Sequence, residues 1–415
     1  MPRTEFVILY LGSRLPSRSE TFVYHELIAL REHGVAVVAA SVHEPEYSLG
    51  EFQLQQLADE AVPVYGRGAG KLIIDAATEF LRSPWRSART LFRAGIDTVT
   101  ASDCPLLRRP KIVWQALAAL ALANRVRSNG VTHIHAHMAH VPTTIAMYCA
   151  MQLRTGFSFT GHAADLFPQR TLLKTKLRRA QFVACISHWH RRFYQQLIPE
   201  LPVVRLPIVR CGVRIIPNAG QLVSPPLVIA VGRLVPKKGF QTLIDAMAIL
   251  RDQFPQKLDC WIVGDGPERE KLAVRIEQAG LTDSVQLVGA KSNLEIRTML
   301  PQASLFVLPC QMDPGGGDRD GIPVALMEAM ASGVCVITGR LEPIDELVRH
   351  HETGVLIEPG NAEELAAAMR MLLTDDRQRS LLAEQGKRWV QQEFSEDVNI
   401  DRLLIAFRAC CVGFS

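Results

Sequence analysis

The sequence predicts an α/β protein made of two doubly wound domains, each built on a parallel sheet. Three observations indicate this class: the chain has 415 residues, its composition is 48% hydrophobic and 21% charged, and short apolar runs alternate with longer amphipathic segments. A single hydrophobic core rarely serves a chain of this length, so two domains are expected. Near-continuous apolar strands separated by helices are typical of parallel sheets covered on both faces.

Apolar runs of strand length occur in both halves of the chain. They lie at 6–11, 35–42, 133–137, 157–161, 182–187, 227–233, 259–266, 285–289, 305–310, 334–339 and 354–359. The stretch "IIPNAGQLVSPP", residues 215–226, is rich in proline and glycine and reads as a linker. We therefore expect an N-terminal domain at 1–215, a C-terminal domain at 226–390, and a C-terminal helix within 391–415 that packs back on the N-terminal domain.

Charge and cysteine usage exclude several classes of protein. The net charge of +4 is too mild to indicate a nucleic-acid partner. Nine cysteines occur without a CxxC array, which favours reduced thiols in a cytoplasmic protein over a metal or disulfide framework. The run "EFVILYL" is too short for the core of a signal peptide, and no run of roughly 18 apolar residues predicts a spanning helix.

Residues 67–111 interrupt the alternation of strands and helices. They contain Leu81, Trp85, Phe92 and several arginines, and we expect a helical insertion at about 67–128. A basic amphipathic helix can lie on an anionic membrane surface, here the inner face of the plasma membrane. The alternative is that these arginines only face water.

A glycine-rich loop after the strand at 305–310 leads into "DGIPVALMEAMASG", where we expect a helix to begin near Gly321. A helix N-terminus at the carboxyl end of a strand suits a phosphate or a sugar oxygen. Asp320 is expected to cap this helix. Glu328 lies eight residues further on and is expected on the same broad face. Its apolar neighbours imply that it needs hydrogen-bond donors, such as a ribose diol.

Two cations stand at strand and helix ends in "VGRLVPKKGF". Arg233 ends a strand and Lys238 precedes Gly239, so the pair could neutralise a diphosphate without a metal ion. In "VGDGPERE", Gly264 and Gly266 allow either a close backbone approach to a ligand or only a tight turn.

Together, "GRLVPKKGF", "VGDGPERE" and "DGIPVALMEAMASG" resemble the donor-binding half of retaining glycosyltransferases of family 4. The segments "PSRSETFVYHEL", "HIHAHMA", "FTGHAADLF" and "CGV" resemble the acceptor-domain motifs of the same family. The resemblance implies the GT-B fold, two Rossmann-like domains facing across a cleft. Within this family, the chain resembles in particular the enzymes that build exopolysaccharides such as colanic acid.

The resemblance also implies roles in donor binding. Arg233 and Lys238 would bind the donor diphosphate and stabilise the departing nucleotide, and Glu328 would hold the ribose. Asp320 stands where the family usually has a glutamate that contacts the donor sugar. The backbone amides around Gly321 and Ile322 would meet the sugar and the phosphates, Gly12 would leave room for the departing phosphate, and Gly264 belongs to the same implied donor site.

On the acceptor side, the resemblance places His162 beside the reacting sugar and Asp165 near the acceptor. Glu20, in the first of the N-terminal motifs, is assigned to the same acceptor site. A departure from the family is Arg214, since an aspartate is common after "CGV".

The implied reaction moves a sugar from a nucleotide-diphosphate sugar, a UDP- or GDP-sugar, to a saccharide or lipid-linked acceptor. It retains the anomeric configuration and uses no cofactor and no metal. Two alternatives stay open: a sugar-nucleotide epimerase of the same fold, and an inactive nucleotide-sugar-binding protein. A dinucleotide oxidoreductase is excluded because no G-x-G-x-x-G follows a strand with an acid about 20 residues later.

Two patterns could instead indicate a metal. "DRD", residues 318–320, matches a metal-binding DxD motif, although the glycine loop and helix around it favour a phosphate site. The histidines at 133, 135 and 137 share one face of a strand, with His140 and His162 nearby in sequence. A hydrogen-bonding role for these histidines, or burial in the core, is favoured over a metal site.

Overall fold

The computed structural model describes residues 6–17, 20–47, 51–162, 166, 170–215, 223–254, 256–313, 315 and 320–411. The chain divides into two compact units, an N-terminal unit of Met1–Gly212 with Asn399–Ser415 and a C-terminal unit of Val213–Val398. Each unit has a sheet and a core of its own.

Six parallel strands form the sheet of the N-terminal unit, in the order β3-β2-β1-β4-β5-β6. They are Val7–Gly12 (β1), Ala36–Ser41 (β2), Val62–Pro63 (β3), His133–His137 (β4), Gly156–Gly161 (β5) and Val183–Cys185 (β6). The strand order reverses between β1 and β4, where Tyr10 lies opposite His135. In open α/β sheets such a reversal opens a crevice at the carboxyl ends of the strands.

Nine helices accompany this sheet among the described residues. They are Thr21–Glu32 (α1), Phe52–Glu60 (α2), Gly68–Arg82 (α3), Pro84–Thr100 (α4), Pro110–Val126 (α5), Val141–Leu153 (α6), Leu173–Arg179 (α7), His188–Leu197 (α8) and the C-terminal helix Glu396–Cys411 (α15), which enters the unit at Asn399.

Alternate residues of β1 enter two different core layers. Leu9 and Leu11 pack with α5 and α6, whereas Ile8 and Tyr10 pack with α1. The second layer is completed from the far end of the chain, because Phe407 of α15 packs there with ring centroids 6.2 Å from Phe6 and 5.5 Å from Phe182. A helix that follows the C-terminal unit in sequence is therefore part of the core of the N-terminal unit.

Helices α3 and α4 bury several polar side chains and expose several large apolar ones. In α4, Ser87, Thr90 and Asp97 are at most 2% exposed, whereas Trp85 is 90% and Phe92 is 73% exposed. Large apolar side chains of both helices and of the following turn are exposed. We call the set the outward apolar face: Ile73, Ile74, Phe80, Leu81, Trp85, Phe92, Ile96, Val99, Leu106 and Leu107.

The inner faces of α3 and α4 are held by buried charges. Asp97 accepts two hydrogen bonds of 2.7 Å from Arg179 and one of 2.9 Å from Tyr148. Glu79 binds the Arg127 guanidinium and accepts a 2.7 Å hydrogen bond from Gln152. Ion pairs therefore fix these helices to the unit and leave their apolar sides to solvent.

The C-terminal unit also contains six parallel strands, in the order β12-β11-β10-β7-β8-β9. They are Leu227–Val231 (β7), Asp259–Val263 (β8), Val285–Gly289 (β9), Leu305–Leu308 (β10), Val336–Gly339 (β11) and Val355–Ile357 (β12). The helices are Phe240–Gln253 (α9), Arg269–Gln278 (α10), Asn293–Met299 (α11), Val324–Ala331 (α12), Ala362–Thr374 (α13) and Asp376–Glu393 (α14). The predicted class, α/β with two doubly wound parallel sheets, is confirmed.

One detail differs from the prediction. The helix expected near Gly321 begins at Val324, because Pro323 has an extended backbone (φ −65°, ψ 127°) and no earlier described residue of the loop is helical. The C-terminal helix expected within 391–415 corresponds to α15, Glu396–Cys411, whose Phe407 packs in the core of the N-terminal unit. Within the described residues, no helix combines the length and hydropathy needed to cross a membrane.

Candidate active site

The C-terminal sheet places the predicted donor residues at one edge. The strand order reverses between β7 and β10, so the loops after these two strands flank a crevice of the kind that binds ligands. The β7 loop carries Arg233 and Lys238, and the β10 loop carries Asp320 ahead of α12. Residues far apart in sequence are thereby brought to the same place.

Two glycines allow these loops to pack closely. Gly239 has φ +70°, and a Cβ atom there would lie 2.0 Å from the carbonyl oxygen of Pro309 after β10. Gly264 has φ +146°, and a Cβ atom there would lie 1.9 Å from the carbonyl oxygen of Gly232 after β7. Both separations are far below van der Waals contact, so only glycine fits. Gly264 is therefore needed for the packing of two loops, which is a structural role.

Asp320 does not cap α12, contrary to the prediction. Its carboxylate lies 2.9 Å from Lys238 Nζ and 3.6 Å from Lys237 Nζ, and it accepts a 3.5 Å hydrogen bond from the Cys310 thiol. Because the helix begins four residues later, the expectation that Asp320 and Glu328 share one helix face is also wrong. Asp320 instead links the β10 loop to the β7 loop by an ion pair.

The ion pairs with Lys238 and Lys237 determine the direction in which the pKa of Asp320 is shifted. Burial alone raises the pKa of the carboxyl, but the charges of Lys238 and Lys237 outweigh burial and bring the net pKa below its usual value. Asp320 is therefore an anion with two ammonium groups around it. The cluster carries one net positive charge, which favours binding of an anion.

Glu328 lies in α12 and is partly buried. Its Oε1 accepts a 2.7 Å hydrogen bond from Asn293 Nδ2 of α11. Burial raises the pKa of Glu328, and the bond from Asn293 partly offsets this rise. A carboxylate has further acceptor sites, so this residue can also take hydrogen bonds from a ligand hydroxyl.

Arg233 is exposed at the end of β7, and among the described residues no acid or carbonyl pairs with its side chain. A guanidinium held at a crevice without an internal partner can bind phosphate oxygens in bidentate fashion. Gly321 and Ile322 lie between Asp320 and α12, and Ile322 is 8% exposed.

In the N-terminal unit, Gly12 ends β1 and Glu20 precedes α1. A Cβ atom at Gly12 would lie 3.0 Å from Leu15 Cβ, so the turn after β1 is tight. Burial raises the pKa of Glu20 to about 7, against the charges of His137 and Arg14, which lower it. Its Oε2 atom is buried without a hydrogen-bond partner among the described residues. Such a carboxyl suits a polar ligand.

His162 follows β5 and is 7% exposed. Its Nε2 lies 3.2 Å from His137 Nδ1, and Phe22 packs on its ring with centroids 4.6 Å apart. Burial, helped by His137, His190 and His140, holds the pKa of His162 well below its usual value. The imidazole is therefore neutral near pH 7. Asp165 lies outside the described residues.

The sequence did not reveal Glu26, which α1 brings to the histidines of β4. Its carboxylate lies 3.0 Å from His137 Nε2 and 3.8 Å from His135 Nε2. Glu26, His135 and His137 offer ligand atoms within 4.8 Å of one another, which is the arrangement of a metal site. Each nitrogen involved also has a partner within the protein: Ser158 and Thr160 for His135, and Tyr10 for His137.

Sequence reasoning also missed Lys237, Cys310 and Asn293. Lys237 directly precedes Lys238, so both lysines could have been predicted from the sequence as cations of the site. Asn293 and Cys310 carried no signal, because only the fold brings α11 and the end of β10 to Glu328 and Asp320.

Comparison with known proteins identifies relatives of both parts of the chain. Residues 215–389 match the family described as glycosyl transferases group 1. AmsK of Erwinia amylovora, named an amylovoran biosynthesis glycosyltransferase, is 35% identical over 175 residues, which are 42% of this chain and 42% of AmsK. WcaL of Salmonella typhimurium, assigned to colanic acid biosynthesis, is 27% identical over 374 residues, covering 86% of this chain and 88% of WcaL.

The matched part of this chain thus spans less than half the length of AmsK but most of the length of WcaL. Among solved structures, HepE of Anabaena in complex with UDP has a TM-score of 0.69 at 16% identity, covering 97% of this chain and all of HepE. At this identity the likeness shows the fold, which is GT-B.

Proposed function

We propose that this chain, whose residues 215–389 match the glycosyl transferases of group 1, transfers a sugar from a nucleotide-diphosphate sugar to a saccharide or lipid-linked acceptor. The donor is a UDP- or GDP-sugar, and the product serves cell-surface polysaccharide biosynthesis. The names of AmsK and WcaL, which refer to amylovoran and colanic acid, support this class of acceptor.

The observation that carries the proposal is the cation cluster of the C-terminal unit. Lys237 and Lys238 converge on Asp320, and Arg233 lies on the same loop with its guanidinium exposed. A diphosphate would share Lys238 with Asp320 and take Arg233 as a second cation. Glu328, oriented by Asn293, would accept hydrogen bonds from the ribose hydroxyls.

This arrangement suits loss of a nucleoside diphosphate. The bond between the anomeric carbon and the diphosphate oxygen breaks, and its electron pair leaves with the diphosphate. Cations fixed in place before the reaction stabilise the charge that develops there. The acceptor hydroxyl attacks from the face the diphosphate leaves, and its proton passes to a phosphate oxygen, which retains the anomeric configuration.

The cations are tested by substitution. Arg233→Ala and Lys238→Met should each lower kcat by about 100-fold, because each removes one group that stabilises the developing charge. Lys238→Met also leaves the buried Asp320 with Lys237 as its one remaining ammonium partner, so Lys238→Met with Asp320→Asn separates the lost cation from the weakened pairing of the acid. Lys257→Met, at a lysine that is 64% exposed in the same unit, is the control and should retain full activity.

The assay follows the products from a panel of UDP- and GDP-sugars. Transfer to a saccharide with the α or β configuration of the donor preserved supports the proposal. Interconversion of free sugar nucleotides would indicate a sugar-nucleotide epimerase instead. Binding without turnover would indicate an inactive nucleotide-sugar-binding protein. The fixed cations take the place of a divalent ion, so transfer should persist after treatment with a chelator, and its loss would contradict the metal-independent mechanism.

The outward apolar face supports contact with an anionic membrane. Its apolar side chains are interspersed with eight basic residues: Lys71, Arg82, Arg86, Arg89, Arg93, Arg108, Arg109 and Lys111. The four acids of the same segment point away from it, since Asp75, Glu79 and Asp97 are at most 5% exposed and Asp103 accepts hydrogen bonds from the backbone of α7. A face that is apolar and basic matches the headgroup region of anionic lipids.

A groove of about 550 Å³ between α4 and α6 adds to this argument. Its walls combine arginine and apolar side chains from Arg89, Phe92, Arg93, Ile96, Met147, Met151, Phe157 and Arg179. An anionic headgroup beside an apolar chain fits such a lining. The membrane would then bring the enzyme to a lipid-linked acceptor.

Flotation with vesicles tests this contact. The protein should float with vesicles that contain phosphatidylglycerol and not with phosphatidylcholine alone, and binding should weaken with salt. Trp85→Ser with Phe92→Ser should abolish flotation, whereas Leu294→Ser, at a leucine that is 63% exposed in the C-terminal unit, should not. Recovery in the lipid-free fraction, or a dimer that buries this face, would contradict membrane contact.

A further inference from the structure

We propose that Glu26 is a positioning residue that sets, through His137, the tautomer and ring orientation of His162. The consequence for catalysis rests on the proposed function, but the protonation pattern does not. Three contacts carry the inference: Glu26 Oε1 to His137 Nε2 at 3.0 Å, His137 Nδ1 to His162 Nε2 at 3.2 Å, and Tyr10 Oη to His137 Nε2 at 2.6 Å.

The first contact places the proton on His137. An ionised carboxylate only accepts hydrogen bonds, and a lone pair on Nε2 would face it at 3.0 Å and be repelled. Nε2 of His137 therefore carries hydrogen. The Tyr10 hydroxyl lies 3.0 Å from the same Glu26 oxygen, which also fits an acceptor there.

The second contact, between His137 Nδ1 and His162 Nε2, then determines the tautomer of His162. In a neutral imidazole one nitrogen is a donor and the other an acceptor. With Nε2 protonated, Nδ1 of His137 must accept, so Nε2 of His162 must donate. The proton of His162 is thus on Nε2, and its Nδ1 carries the lone pair.

Packing holds the same orientation. The rings of His137 and His162 are stacked, with centroids 5.4 Å apart and planes 22° apart, and Phe22 packs 4.6 Å from His162. Tyr10, His137 and His162 are at most 7% exposed. Burial makes each unmade hydrogen bond costly, so the chain of contacts is strongly specified.

The same atoms could instead hold a metal ion, as the grouping of Glu26, His135 and His137 shows. His135 argues for the hydrogen-bonded arrangement. Its Nδ1 lies 2.8 Å from Ser158 Oγ and its Nε2 lies 3.1 Å from Thr160 Oγ1, so both nitrogens already have hydroxyl partners.

Nitrogen-15 NMR of the full chain labelled at histidine gives the direct test, because the two tautomers and the imidazolium have different shifts. At about pH 8, without nucleotide sugar, His137 and His162 should both be protonated only on Nε2, with His162→Gln used to assign the signals. A doubly protonated His137, a His162 protonated on Nδ1, or signals that move when a chelator is added would overturn the proposal.

Glu26→Gln supplies the second test. A glutamine side chain can present either its amide N–H or its carbonyl oxygen to His137 Nε2, so the exclusive preference for Nε2–H is lost and both tautomers of His137 and His162 should be populated. Ser158→Ala is the matched control, since it removes a hydroxyl from the same buried cluster without touching His137. In Ser158→Ala the His137 and His162 signals should equal those of the wild type. Unchanged His137 and His162 signals in Glu26→Gln would contradict the proposal.

Catalysis is measured on the same variants. Glu26→Gln should lower kcat on the order of tenfold, about 1.4 kcal/mol of barrier, with little change in the KM for donor. Ser158→Ala should retain its kcat. If no transfer activity is found, the NMR result still decides the tautomer, so failure of the proposed function and failure of this inference are distinguishable.

Discussion

Glu20 shows how a single buried carboxyl makes stability depend on pH. Burial raises its pKa to about 7, well above the ordinary value of 4.5. The folded state therefore holds the proton more tightly than the unfolded chain does. The stabilisation is fully present below about pH 4.5 and is lost as the pH rises through about 7.

Replacing Glu20 by glutamine removes this dependence. Relative to the wild type, Glu20→Gln should gain stability between pH 5 and pH 8, by at most about 3 kcal/mol, because glutamine stays neutral. Urea unfolding at a series of pH values measures the difference. Glu200→Gln, at a glutamate that is 70% exposed, should follow the wild-type curve, and a Glu20→Gln curve parallel to the wild type would contradict the assignment.

Single residues also show what the sequence could specify. The positions of Arg233 and Lys238 followed from strand and helix ends, which are local features of the chain. The partner of Asp320 did not, because capping is the commonest local use of an aspartate before a helix. Lys238 comes from 82 positions earlier in the numbering and reaches Asp320 only after β7 and β10 are adjacent in the sheet.

Helix α4 is held to the N-terminal unit by Asp97, which is 2% exposed and bonds Arg179 and Tyr148. Asp97→Asn should lower the free energy of unfolding by about 3 kcal/mol, because the partly buried guanidinium of Arg179 then faces an amide in place of a charge. Urea unfolding followed by far-UV circular dichroism measures this loss.

An exposed ion pair gives the comparison for that variant. Asp252 bonds Arg251 on the surface at 2.9 Å, and Asp252→Asn should leave the unfolding curve unchanged. Equal effects of the two substitutions would mean that the inner face of α4 contributes no more than a surface contact.

At the level of elements, long apolar runs were predicted well and short ones were not. Strand β3 has only two residues, Val62 and Pro63, so it has no period of its own to detect. The insertion was predicted as helical from its composition. Its orientation was not, since amphipathicity gives the two faces of a helix without saying which of them meets the protein.

For the whole molecule, the two proposed ligands should act on different units. A UDP- or GDP-nucleotide should slow amide hydrogen exchange at 232–240, 264–268 and 320–328, whereas anionic vesicles should slow it at 68–100. Stabilisation by nucleotide should reach about 2.7 kcal/mol at a concentration 100 times the Kd.

Mass spectrometry of exchanged peptides reads both effects in one protein. The Lys238→Met variant should lose the nucleotide pattern and keep the vesicle pattern, and Trp85→Ser with Phe92→Ser should do the reverse. Protection by nucleotide confined to residues 68–100 would contradict the assignment of the donor site to the C-terminal unit.

The position of α15 in the N-terminal core has a consequence for biosynthesis. A ribosome makes β1 to β6 first, yet Phe407, which packs against Phe6 and Phe182, is translated only after residues 213–398 of the C-terminal unit. The strands and helices that complete the C-terminal unit are translated before that residue. The core of the N-terminal unit is therefore completed only after the C-terminal unit has been translated. Until then the apolar surface that Phe407 covers is accessible to chaperones.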